Sequence, residues 1–177
     1  MTAAYATDKA TFAEPEQKAL PQTSEKILKN GWSLQPLATF SVEARVLAIK
    51  QYKGQATDEL APFDLALGWG LMAKAGISDK IVISQKNRFY QWHYWGSTIT
   101  EEQIIRSSTN AHIISANVEI EKLVSHLQVG DNVRLSGVLV EASHPQADKT
   151  WRSSLRRDDI GEGACEIIYV KSLDVLK

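Results

Sequence analysis

From Thr39 to Tyr52 the side chains alternate, with Phe40, Val42, Ala44, Val46 and Ala48 in one phase and Ser41, Glu43, Arg45 and Leu47 in the other. A period of two marks a strand with one buried face, and Lys53-Gly54 ends it. Similar patterning predicts strands over Lys80–Gln85 and Arg88–Trp95, joined by a tight hairpin at Lys86-Asn87. In the second of these, Tyr90, Trp92 and Tyr94 share one face, and Phe89, Gln91, His93 and Trp95 the other. Further strands are expected over Asn132–Ala142, Trp151–Leu155, Cys165–Val170 and Leu173–Leu176, with a brief extended piece over His112–Ser115.

Helical signals are fewer. Thr100-Glu-Glu-Gln103 is a capping box, and Ile99 and Ile104 are spaced as a hydrophobic staple, so a helix should run to about Ser107. Asn117 caps a second helix, whose Ile120, Leu123, Val124 and Leu127 fall on one face and which Gly130 stops. The apolar run Phe63–Met72 follows Pro62, a residue suited to a helix's first turn. Gly68 and Gly70 weaken a continuous helix there. One short helix and then a turn near Trp69 are expected.

Residues 1–31 read differently. Lys9, Lys18, Lys26 and Lys29 offset Asp8, Glu14, Glu16 and Glu25, Pro15 and Pro21 interrupt any helix, and apolar residues are sparse. Such a stretch buries too little to offset its ordering entropy. The expectation is a polar, flexible N-terminal arm over 1–31 and a single folded domain over 32–177.

The resulting fold class is mainly β with two or three short helices. The segment Val129-Gly-Asp-Asn-Val-Arg-Leu-Ser-Gly-Val-Leu-Val140 resembles the fourth strand of an OB-fold, and the element order is similar to that five-stranded barrel, with a helix between strands three and four. Another small barrel or an α+β sandwich are the alternatives. The OB resemblance implies that the loops 53–79 and 143–164 flank a ligand face. It makes Trp69, Trp151, Arg152, Arg156 and Arg157 the candidate ligand-binding residues.

Several segments together resemble a group of bacterial proteins to which no activity is assigned. They are Gln35-Pro-Leu-Ala-Thr-Phe-Ser, Asp64-Leu-Ala-Leu-Gly-Trp-Gly, Arg88-Phe-Tyr-Gln-Trp, Asn110-Ala-His and Trp151-Arg-Ser-Ser-Leu-Arg-Arg-Asp-Asp. That resemblance spans residues 34–171 and implies an envelope location with a polar tether. It transfers no catalytic residues.

Composition narrows the chemistry. With 44% hydrophobic and 23% charged residues the chain can bury an ordinary core. A net charge of −1 provides no global attraction to nucleic acid or acidic membranes. One cysteine, Cys165, excludes an intramolecular disulfide. The histidines at 93, 112, 126 and 144 are scattered, so no metal site is expected, and no cofactor motif is present. No stretch reaches the roughly 18 apolar residues of a membrane span, and the first residues lack an apolar signal core. The chain is expected to be cytoplasmic, or periplasmic or envelope-associated if a leader has been removed.

Three functional readings remain. The leading one is a non-catalytic binding or scaffold domain of the bacterial envelope. Its partner would be a protein or an anionic small molecule held by the arginine forks of 152, 156 and 157. The same arginines can instead pair with Asp158 and Asp159. The second reading is an enzyme with Cys165 as nucleophile and His112 as base, which requires hydrogen-bond reach between them. The bland alternative is a small buried cysteine and a packed histidine. The third is a single-stranded nucleic-acid binder that stacks bases on the 89–95 strand, with Arg88, Arg45 or Arg134 on the same outer face; the bland alternative is that one face of this strand fills the barrel as core.

Overall fold

The computed structural model describes residues 12–96, 98–147 and 150–177. Its first strands are β1 (Glu16–Ala19) and β2 (Ile27–Lys29), and both pair antiparallel with β3 (Trp32–Gln51). The stretch expected as a flexible arm therefore contributes two strands, while residues 1–11 lie outside the described residues. The signal was present at Asn30-Gly31, where both residues have positive φ (49° and 81°). That conformation closes a two-residue hairpin between Lys29 and Trp32. Few side chains from β1 and β2 are buried, so hydrophobic periodicity alone could not reveal them.

The chain continues through α1 (Ala56–Leu60), β4 (Phe63–Gly68), a 3-10 turn (Gly70–Ala73) and α2 (Ala75–Ser78) to the hairpin β5 (Ile81–Lys86) and β6 (Phe89–Tyr94). Then come α3 (Glu101–Arg106), β7 (Ser108–Ser115), α4 (Val118–His126), β8 (Asn132–Ser143), β9 (Trp151–Arg152) and β10 (Glu166–Leu176). Strand outweighs helix, so the chain is mainly β, with four α-helices among the described residues where two or three were expected.

One edge of β3 runs along β8, and its other edge meets β2, β1 and β4 in turn. β4 pairs with β7, β7 runs parallel to β10, and β10 pairs with β8. The hydrogen bonds thus return to their start, and the sheet curls into a ring, β3-β4-β7-β10-β8. Register shifts on β3 between Pro36 and Ala38 and between Val46 and Ala48 let one strand bend around it.

Two sequence expectations change here. Phe63–Gly68 is a strand, not a helix: all six residues are buried and β4 is paired on both edges. A short continuous apolar run does not distinguish a central strand from a buried helix. The hairpin β5–β6, which follows the long strand in an element order that resembles a five-stranded barrel and so was expected within it, is instead a separate two-stranded sheet outside the ring, where β4 and β7 stand in its place. Both helix caps hold: Thr100 Oγ1 accepts from the Gln103 amide, and Asn117 Oδ1 accepts from the Ile120 amide.

The ring interior is packed by Phe40, Val42, Leu65, Ile113, Leu135 and Ile168, and α4 adds Ile120 and Val124, with Leu127 just after it, to the same cluster. A second cluster around Trp32, Leu34, Ile114 and Val140 covers part of the outside. A third joins the hairpin to α3 through Met72, Ile81, Ile99 and Ile104. No helix among the described residues is long and apolar enough to cross a membrane.

Candidate functional site

Alternation along β4 and β7 turns Leu65, Leu67, Ala111 and Ile113 into the ring. The opposite phase carries Asp64, Asn110 and His112 to the outside, yet all three are buried there. The hairpin explains this. Its turn residues Asn87 and Arg88 both have positive φ (53° and 68°), which is the conformation a two-residue turn needs but an unfavourable one for arginine. Arg88 is held in it by its side chain, which lies 2.7 Å from Asp64 Oδ1 and 2.6 Å from Asp58 Oδ1. Its guanidinium also stacks on Tyr52, 4.2 Å from the ring centre.

Asp64 accepts a further bond from His112 Nδ1 at 2.8 Å, and Asn110 Nδ2 approaches its other oxygen at 3.4 Å. Gln85 Nε2 donates to Asn110 Oδ1 at 2.7 Å. Trp151 closes the cluster against the His112 ring, with 4.7 Å between centroids. Asp64, Arg88, Asn110, His112 and Trp151, spread over four separate segments of the chain, thus meet in one place.

Beside this network lies a cavity of about 230 Å³. Phe89, Tyr90 and Trp92 of β6 line it, together with Trp69, Glu101 of α3, and Ser108 and Thr109 of β7. Its remaining wall is the loop before β10, with Arg156, Arg157, Asp159 and Ala164, and then Cys165 and Glu166. Glu166 is 1% exposed and accepts hydrogen bonds from Arg157 Nη1 and Thr109 Oγ1. Burial pushes its carboxyl up to about 8, with Arg157 pulling the other way. The Tyr90 hydroxyl lies 3.1 Å from Ser108 Oγ, and burial raises it to about 12.

The structure separates the two catalytic candidates. His112 bonds Asp64, whereas Cys165 meets Asn110 Nδ2 and the Arg88 carbonyl, each at 3.8 Å. The parallel ladder sets Glu166 opposite Ala111 and Ile167 opposite His112, so Cys165 is displaced from His112 along the strand. Burial pushes the thiol up to about 12, so it stays protonated at neutral pH. A nucleophile–base pair is not assembled.

The expected ligand-binding residues also divide. Trp69 lines the cavity and donates from Nε1 to the Arg106 carbonyl at 3.1 Å. Trp151 belongs to the Asp64–Arg88 network. Arg152 pairs on the surface with Glu141 at 2.7 Å, away from the cavity lining. Arg156 lines the cavity but pairs with Asp158 at 3.0 Å, which lowers the Asp158 carboxyl pKa below its usual value. Arg157 is spent on Glu166 and on Gln17 Oε1, 2.9 Å away. All three guanidiniums thus have carboxylate partners.

The arginines needed for a base-stacking platform are engaged as well. Arg88 points inward, Arg45 meets Asp79 at 3.3 Å and Arg134 meets Glu43 at 2.6 Å. The aromatic face of Tyr90, Trp92 and Tyr94 is the half-buried one, turned toward the cavity and α3 rather than into the ring.

Sequence reasoning missed Asp58, Asp64, Asn110, Glu166 and Gln17. The signal for two of them was a lone charge in an apolar context: Asp64 within Phe-Asp-Leu-Ala-Leu, and Glu166 before Ile-Ile-Tyr-Val. The chain matches no protein-family model, no curated protein and no solved structure in the comparisons.

Proposed function

We propose that this chain is a non-catalytic binding domain built on an OB-like barrel, and that its ligand site is the cavity between the hairpin, α3 and the loop before β10. In this reading β3, β4, β7, β8 and β10 are the five barrel strands, and α4 is the helix between the third and fourth. The OB fold binds ligands on its second and third strands and on the loops joining strands one to two and four to five. The cavity adjoins the third strand, β7, and the loop before the fifth, β10. That match supports the assignment.

The observation that carries the proposal is the composition of the cavity wall. Four aromatic side chains converge on one hollow with a larger set of polar and charged groups, Glu101, Ser108, Thr109, Arg157 and Asp159 among them, and a concave aromatic wall with convergent polar groups is where a small molecule binds. Its volume of about 230 Å³ suits a ligand smaller than a drug-sized molecule. The protonated thiol and the Asp64-bound imidazole favour binding over covalent chemistry. The envelope location suggested by the family resemblance remains a separate proposal.

The test is a protein-observed NMR screen with small aromatic molecules. Shifts centred on Thr109, Cys165 and Glu166, abolished by Ala164→Phe, are expected. Binding that maps elsewhere, or that persists in a folded Ala164→Phe protein, would reject the site.

A further inference from the structure

We infer that the cavity selects an organic cation, an amine or quaternary ammonium group carried on a small apolar body; the inference rests on the binding reading above. The sequence pointed to an anion because arginines crowd residues 152–157. The folded arrangement removes that argument. For an anion to engage Arg157, the guanidinium would have to leave Glu166, which is buried at 1% exposure and would lose a hydrogen-bond donor that no water replaces. Arg156 is already matched by Asp158.

The groups left to meet a ligand are aromatic rings and carboxylates. Trp69, Phe89, Tyr90 and Trp92 line the hollow with faces and edges that attract a cation through the ring quadrupole. Glu101 and Asp159 line it too. Asp159 Oδ2 accepts from Ser154 Oγ at 2.6 Å, which leaves lone pairs for a second donor. Asp158 offsets Arg156, and the carboxylates of Glu101 and Asp159 outnumber the remaining guanidinium, Arg157, along the lining. A cation entering between rings and carboxylates gains from both and breaks no buried pair.

Three probes of similar shape separate charge from shape: 2-phenylethylamine, 2-phenylethanol and phenylacetate. Their affinities are read by quenching of tryptophan fluorescence, with NMR shifts at Thr109 and Glu166 to locate them. The ammonium is expected to bind about tenfold more tightly than the alcohol, with phenylacetate weakest, and added salt should narrow the gap. Asp159→Asn and Glu101→Gln should each weaken binding of the amine more than that of the alcohol, and so narrow the gap between them. Equal binding of amine and alcohol, or tighter binding of phenylacetate, would overturn the cation assignment and leave the cavity as a site. No probe binding in the cavity would overturn the binding reading and this inference with it.

Discussion

Arg88 and Asp64, 24 positions apart in sequence, meet at 2.7 Å beneath the β5–β6 hairpin, and the Asp64 side chain has no exposed surface. The contact fastens a two-stranded sheet that shares no ladder with the ring. It also accounts for an arginine held at a φ of 68°.

Removing the guanidinium leaves a buried carboxylate short of its charged partner. Arg88→Ala is expected to destabilise the fold by about 3–5 kcal/mol, measured by urea unfolding. Adding Asp64→Asn should recover at least about 1 kcal/mol of that loss, because the orphaned charge is removed as well. A single variant as stable as the parent would show that the hairpin is held by its apolar contacts alone.

Glu166 sets a pH dependence. Its ordinary value of 4.5 rises to about 8 in the folded chain because of burial. Between those values the folded state holds a proton that the unfolded state has released, so the group's contribution to stability falls as pH rises through that window. Urea midpoints at pH 5 and pH 8 should therefore differ more in the parent than in Glu166→Gln. An unchanged pH difference in the variant would assign the effect to other groups.

Cys165 should be slow to alkylate. The rise from 9.0 to about 12 leaves far less thiolate at pH 8 than in an unfolded chain. Iodoacetamide is expected to react at least roughly a hundredfold more slowly with the native protein than with the urea-unfolded one. Comparable rates would reopen the reading of this residue as a nucleophile.

Gly137 lies where β8 passes β10, and a Cβ there would sit 2.0 Å from the Tyr169 carbonyl oxygen. Gly137→Ala forces the two backbones apart at the ring's closure. A loss of about 1–3 kcal/mol should lower the melting temperature by several degrees in calorimetry. An unaltered melting temperature would mean that the ring is looser at this point than its pairing implies.

The cavity wall illustrates the reach of local signals. That Tyr90, Trp92 and Tyr94 share one face follows from strand alternation, and the structure keeps it. What those side chains face does not follow, because the hairpin's place outside the ring depends on which strands close it. Trp69 and Arg157 were legible as candidates and both line the cavity. Arg157's partners were not: Gln17 lies 140 positions away, in a stretch that reads as a polar arm.

By itself the sequence determined the elements whose causes are local. The long alternating strands, the Thr100 and Asn117 caps, the existence of a tight hairpin, whose turn falls at Asn87-Arg88 rather than the expected Lys86-Asn87, and the mainly β class all arise from neighbours within a few positions. The tertiary structure alone decided that Phe63–Gly68 is a strand paired on both edges, that β1 joins β3, and that His112 bonds Asp64 rather than Cys165. Alternation reports whether a side chain is buried, whereas a hydrogen-bond partner is chosen only when strands distant in sequence come into register.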